Sequence, residues 1–311
     1  MADVLSHKRF WDEQAAYNWV EAHLWPHGPV CPRCGVLGDR ITKLQGKSTR
    51  IGTYKCKDCR KPFTVKIGTI FEDSHIPMRL WLQAIALMCA SKKGISSNQL
   101  HRTLGITLKS AWFMSHRIRE AMRSGGLLPP MGGEGQIVEV DETFTGWKRD
   151  YVKPLGSTHK FAVLTLVDRT TKQARSFHID RAHSGEIIPI VRDNIAKEAT
   201  VATDQARYYV TLGKHVARHE SVNHSVEEWA RGAIHTNTVE GFFSVFKRGM
   251  RGVYQHCSEK HLHRYLAEFD FRYNNRVALG VDDGQRASAA LGGVKGKRLT
   301  YRAAGRSRSR A

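Results

Sequence analysis

The sequence is short of acid. Its 311 residues carry 29 Asp and Glu against 49 Lys and Arg, a formal net charge of +20. So large an excess of base is unlike a typical metabolic enzyme and asks for a polyanionic partner, most simply nucleic acid. Long apolar runs are missing too, with no stretch of about 18 apolar residues to span a bilayer. A basic helix with a long, clean apolar face is also lacking, which counts against a membrane-surface protein. The opening MADVLSHKRFWDEQAAYNWVEAHLW has no apolar segment of the kind a signal peptide needs, so a cytoplasmic protein is expected. The spacing of Phe10, Ala15, Trp19 and His23 in it predicts a short amphipathic helix. No internal repeat is present. Cysteine is scarce, six in all, and in a reducing compartment cysteines bind metal more often than they pair.

What is there divides the chain by composition. An N-terminal helix is expected over 1–24, a cysteine-bearing region over 25–74 and a helical region over 75–124. The Gly/Pro linker GGLLPPMGGEG (125–135) precedes an α/β domain over 136–276, and a basic tail, read as disordered, runs over 277–311. Cys31-Pro-Arg-Cys34 and Cys56-Lys-Asp-Cys59 are two CxxC knuckles with 21 residues between them. That spacing predicts a four-cysteine zinc ribbon. Four thiolates close a tetrahedron and leave no vacant position, so the Zn²⁺ is structural rather than catalytic. Strands are expected over 50–55 and 63–66. Cys89 sits in an apolar helix and reads as core. Cys257, among His256, His261 and His263, reads as solvated or phosphate-contacting rather than as a second metal site.

After an apolar helix over 78–92, the stretch 95–104, Gly105 and 106–118 follow the helix–glycine turn–helix pattern of a DNA reader. Ser96 or Ser97 is expected to cap the first helix and Thr107 the second. The second helix would expose Lys109, Ser110, His116 and Arg117 to DNA. A helical hairpin that only packs is the bland alternative.

In the α/β domain, IVEVDETF (137–144) predicts a strand by its β-branched content. Asp141 shares a face with Ile137 and Glu139, and Val138, Val140 and Glu142 share the other. Residues 161–168 and 174–179 predict a hairpin, 184–197 a helix, and TVATD (200–204) a strand with Asp204 at its carboxyl end, where open α/β sheets place ligands. In HTNTVEGFFSVFKRGM (235–250), helical spacing puts Asn237, Glu240, Ser244 and Lys247 on one polar stripe, with Phe242, Phe243 and Phe246 turned inward. Two strand aspartates and a helical glutamate are what a two-metal phosphodiester site requires, with Mg²⁺ or Mn²⁺ as the ions. Each acid taken singly is unremarkable. Asp168 reads as the start of the hairpin turn, Glu139 and Glu142 as site supports or solvent-facing, and Asp180 and Asp193 have no matching context.

The order strand-Asp141, hairpin, strand-Asp204, helix-Glu240, with 35 residues between the last two, resembles the ribonuclease H-like DDE transposases of bacterial insertion sequences. The resemblance is to the ISXO-like group that bears an N-terminal zinc ribbon. It rests on CPRCG with YKCKDCRKPFTVKIGTIFEDS, VEVDETFTG, VATDQARYY and HTNTVEGFFSVFKRGMRGVYQHCSEKHLHRYLAEFDFRYNNR. It departs from the pattern at Trp147-Lys148-Arg149, away from Asp141. The resemblance implies an α/β, ribonuclease H-like mixed-sheet domain with Asp141, Asp204 and Glu240 as catalytic metal ligands, and Lys247 as the basic residue seven positions after the glutamate. Lys247, His235 and Asn237 would then hold DNA at the site. The activity implied is cleavage of element ends and joining of the 3′-hydroxyl to target DNA, by a homodimer or larger assembly at the nucleoid. The rivals are a nuclease or resolvase of the same fold and a catalytically dead zinc-ribbon regulator. A zinc deaminase fails on the order of its H-x-E and P-C-x-x-C signatures.

Overall fold

The computed structural model describes residues 6–125, 128–148 and 159–300. Arg149, two linker residues and the last part of the basic tail lie outside that set. The described residues form two compact units, one of residues 6–91, 95–122 and 282–300, the other of 92–94 and the described part of 123–281. Among the described residues no helix is long and apolar enough to cross a membrane.

The first unit opens with helix α1 (Glu13–Leu24), whose N-terminus is capped by the Asp12 carboxylate accepting the Ala15 N–H at 2.6 Å. Its buried stripe is Ala16, Tyr17, Val20, Glu21 and Leu24. Ala15, Trp19 and His23, predicted as the inward face, flank that stripe half-buried, because Tyr17 and Val20 bring more apolar area to bear. Glu21 is buried on that stripe with one carboxylate oxygen paired: Tyr54 donates to Oε2 at 2.7 Å and Lys43 at 3.1 Å. Those partners belong to an antiparallel sheet in the order β1 (Ile41–Lys43), β2 (Tyr54–Cys56), β3 (Pro62–Phe63). The first of these strands has no counterpart in the sequence prediction.

Helices α2 (Met78–Ala90), α3 (Ser97–Leu104) and α4 (Leu108–Met122) follow. Ser96 caps α3 through the Gln99 N–H, Gly105 takes the left-handed conformation at φ 64°, and Thr107 accepts the Ser110 N–H at 3.2 Å. The tail expected to be disordered from 277 contains a helix, Asp283–Gly292, opened by a capping box between Asp282 and Gln285. It packs on α2 and buries Ala290 and Leu291, with Val294 buried in the turn that follows. The basic residues around it masked a short apolar stripe that needs a partner.

The second unit is built on a five-stranded sheet. Strands β4 (Ile137–Thr145), β5 (Phe161–Asp168) and β6 (Ala174–Ile179) form an antiparallel meander. Helix α5 (Ser184–Asn194) then carries the chain to β7 (Thr200–Asp204) and β8 (Arg218–Val222), which run parallel to β4. The spatial order β6-β5-β4-β7-β8 is the ribonuclease H-like arrangement. A two-strand ribbon, β9 (Ala230–Arg231) and β10 (Ile234–His235), leads into α6 (Asn237–Gly249), and α7 (Glu259–Asn274) completes the unit.

Alternation on β5 explains why both faces are covered, since every residue of that strand is buried. Ala162, Leu164 and Leu166 pack with Val138, Val140, Ile187 and Val191 on the α5 side. Phe161, Val163 and Val167 pack with Phe242, Phe243, Phe246 and Phe269 on the α6–α7 side. The three phenylalanines of α6 are at most 4% exposed and anchor the helix as its spacing predicts.

Candidate active site and metal centre

Each cysteine knuckle folds back on its own backbone, with Gly35 N–H donating to Cys31 O at 2.9 Å and Cys56 N–H to Lys61 O at 3.2 Å. Gly35 has φ 75° and Arg60 φ 57°, the left-handed residues that let the two turns close. The four sulfurs lie within 4.8 Å of one another, none in a disulfide. Cys31 and Cys59 are 3.7 Å apart, and Cys34 and Cys56 are 3.5 Å apart. Zn–S bonds near 2.3 Å in a tetrahedron set an edge of about 3.8 Å, so the donor set fits Zn²⁺.

The acidic site follows from strand register. Parallel pairing of β4 with β7 ends at Glu139 opposite Ala202. Two residues further along each strand, Asp141 and Asp204 stand side by side where the strands part. Carboxylate oxygens of Asp141, Glu142 and Asp204 lie within 4.8 Å of one another. Burial, then the charges of Glu142 and Asp204, pushes the Asp141 carboxyl up to about 8. Glu142 is also raised by burial, opposed by hydroxyls of Tyr208 and Tyr209 that donate to it. Three crowded, half-buried carboxylates are unfavourable without a counter-charge, and an all-oxygen donor set suits a hard divalent cation.

Glu240 lines the same cleft, which holds about 360 Å³ and is also bordered by Thr143, His224, Phe243, Ser244 and Lys247. Its carboxylate accepts the Thr236 hydroxyl at 2.8 Å and stands 4.0 Å from His224 Nε2, apart from the Asp141–Glu142–Asp204 group. Lys247 reaches the cleft as its spacing predicts. Asn237 is exposed and is not part of the cleft lining.

Glu139, left open by the sequence between support and solvent, is fully buried. Its carboxylate accepts the N–H of Thr238 and of Val239, each at 2.9 Å, and the Thr238 hydroxyl at 2.7 Å. It therefore caps α6, where the helix dipole favours negative charge. Arg169 Nε pairs with it at 2.5 Å and also donates to the carbonyls of Ala233 and His235. His235, predicted to hold DNA, is drawn into this network, its Nδ1 2.8 Å from Arg169 Nη2. Asp168 does start the hairpin turn, accepting the Thr170 N–H at 2.8 Å.

The reader helix differs from its prediction. His116 and Arg117 are buried, at 1% and 5% exposure. Arg117 donates to the carbonyls of Ile70 and Glu72 at 2.7 Å each and to Leu299 O at 3.2 Å. A cation with three carbonyl partners in the core is a structural tie, not a DNA contact. Full exposure on α4 is confined to Leu108 and Lys109 in its first turn, and Ser110, Trp112 and Phe113 are half-buried.

Comparison with known proteins gives matches for both units. The family model described as ISXO2-like transposase domain matches residues 132–274, and that described as transposase zinc-ribbon domain matches residues 11–62. A Halobacterium salinarum protein described as an uncharacterized protein in transposable element ISH50 is 28% identical over 284 residues, 85% of this chain and 92% of that protein. An uncharacterized transposase-like protein of Haemophilus influenzae is 27% identical over 97 residues, 31% of this chain and 77% of that protein. Among solved structures, a simian T-cell lymphotropic virus intasome in complex with PP2A regulatory subunit B56 gamma aligns at 15% identity and TM-score 0.30, over 55% of this chain and 63% of that chain. The HTLV-2 integrase catalytic core domain in complex with magnesium aligns at 14% identity and TM-score 0.28, over 46% and 86%.

Proposed function

The chain belongs to the ISXO2-like transposases, and from that premise we propose that it cuts the ends of its insertion sequence and joins them to target DNA at the Asp141–Asp204–Glu240 cleft. The observation that carries this reading is the meeting of Asp141 and Asp204 at the parting of β4 and β7, with Glu240 on the wall of the same cleft.

In the first step a water oxygen attacks the phosphorus at the element's end. The P–O3′ bond breaks, and the leaving oxygen takes a proton to become a 3′-hydroxyl. In the second step that hydroxyl loses its proton and attacks a phosphorus of the target strand. One phosphodiester bond forms and one breaks. Both steps need the same in-line geometry, so one cleft serves both. Two Mg²⁺ or Mn²⁺ ions would stabilise the charge on the attacking and leaving oxygens. Asp141, Asp204 and Glu240 would hold them, and Lys247 would pair with a phosphate entering the cleft. Asn237, at the start of α6, would contact the same DNA outside it.

The four cysteines would hold a structural Zn²⁺, and the ribbon with the first turn of α4, through Lys109 and Ser110, would bind the terminal repeats. Two ends must be held for joining, so a homodimer or larger assembly at the nucleoid is the working form. The test is Asp204→Asn. End cleavage should be lost while binding to the element's terminal DNA stays within about twofold of wild type; a variant that still cuts would refute the assignment.

A further inference from the structure

The carboxylate placed closest to Asp141 and Asp204 is not that of Glu240. It is that of Glu142, which lies within 4.8 Å of both, while Glu240 is engaged by Thr236 and faces His224. Glu142 belongs to the opposite face of β4 from Asp141, yet past Glu139 the strand has no partner on the β7 side, so its side chain also reaches the cleft.

Two phenols fix it there. Tyr208 donates to Oε1 and Tyr209 to Oε2, the latter at 2.6 Å. Tyr209 is fully buried and Tyr208 half-buried, so neither hydroxyl is a passing surface contact. Both belong to the turn Arg207–Tyr209, which begins three residues after Asp204, and Asp204 Oδ1 accepts the N–H of Ala206, the residue that opens that turn, at 3.0 Å. One short segment thus orients Asp204 and Glu142 together. Each carboxylate oxygen has two lone pairs and the tyrosines occupy one apiece, leaving one on each oxygen for a cation.

We propose that Glu142 is a fourth carboxylate of the metal site, ligating a divalent cation beside Asp141 and Asp204, with Tyr208 and Tyr209 as its positioning residues. This rests on the reading of the cleft as a metal site. The competing role is a brace, in which Glu142 only ties the turn to β4.

Mn²⁺ binding to the full-length protein, measured by titration calorimetry without DNA, separates the two, with metal-free thermal unfolding measured alongside. Glu142→Gln should weaken Mn²⁺ binding by about tenfold or more with little change in metal-free Tm, and Tyr208→Phe and Tyr209→Phe should weaken it less. Wild-type affinity in Glu142→Gln overturns the proposal. So does a result in which both Phe variants lose as much affinity as Glu142→Gln with a matching fall in metal-free Tm, which is the signature of a brace. Asp141→Asn and Asp204→Asn are the controls. If they lose Mn²⁺ and Glu142→Gln keeps it, only the fourth ligand is wrong; if they too bind as wild type does, the metal-site reading falls with it.

Discussion

The Glu139 carboxylate accepts the backbone N–H of Val239 at 2.9 Å, across 100 residues of chain. Asp141 lies two positions after Glu139 on β4, and Glu240 lies one after Val239 on α6. A single buried acid therefore fixes the strand that carries one candidate ligand against the helix that carries another. Glu139→Ala would leave the first turn of α6 uncapped and Arg169 without its carboxylate. Loss of one partner of a buried pair costs about 3–5 kcal/mol. The urea midpoint should fall accordingly, and Glu139→Gln, which keeps an acceptor, should fall less.

Arg117 and Lys109 separate packing from DNA contact on one helix. Removing the Arg117 guanidinium leaves three carbonyls without their donor, so Arg117→Ala should destabilise the protein by about 3 kcal/mol in chemical denaturation. Lys109→Ala should leave the unfolding midpoint alone. It should weaken end binding and lower the salt slope of log K by about one unit, if Lys109 neutralises one phosphate.

Zinc should be part of the fold. Elemental analysis of the purified protein should give one zinc per chain, and Cys56→Ser, at a fully buried position, should lose it. Chelation should unfold the β1–β3 ribbon, seen as lost protection of Tyr54 and Phe63 in hydrogen exchange. The Asp141 site should be unaffected in Mn²⁺ titrations of the same sample.

Asp141 predicts the direction of a pH effect. Its folded value of about 8 lies above the unfolded aspartate value of about 3.9. The folded state therefore binds the extra proton. The stability this contributes is fully present below about pH 4 and is lost as pH rises through about 8. In metal-free protein, Asp141→Asn should be increasingly stabilised relative to wild type across that window by thermal unfolding. Added Mg²⁺ at pH 8 should raise the wild-type Tm and leave Asp141→Asn nearly unmoved.

The sheet was legible because β-branched residues mark its strands. The limits of β5, β6 and β7 are those expected, and Asp141 and Asp204 followed from the same runs. The four-cysteine cluster was legible because ligand spacing is itself the signal. What the sequence hid lies in partners far along the chain. Glu139 stays open between site support and solvent until Arg169 and Thr238 come to it. Arg117 reads as a DNA contact because a basic residue in a basic chain gives no sign of three carbonyls waiting in the core. Glu142 reads as either a site support or solvent-facing, since nothing local says that Tyr208 and Tyr209 hold it. The helix at 283–292 was hidden by the charge around it, because its buried apolar stripe, Ala290 and Leu291, is short.

The most direct measurement is a strand-transfer assay with purified protein, Mg²⁺, labelled DNA carrying the element's own terminal repeats, and an unlabelled target plasmid. Wild-type protein should yield labelled target in which a 3′ end of the element is covalently joined, and Asp141→Asn, Asp204→Asn and Glu240→Gln should yield none. Cleaved ends that are never joined to target under any divalent ion would contradict the reading and leave a nuclease in its place.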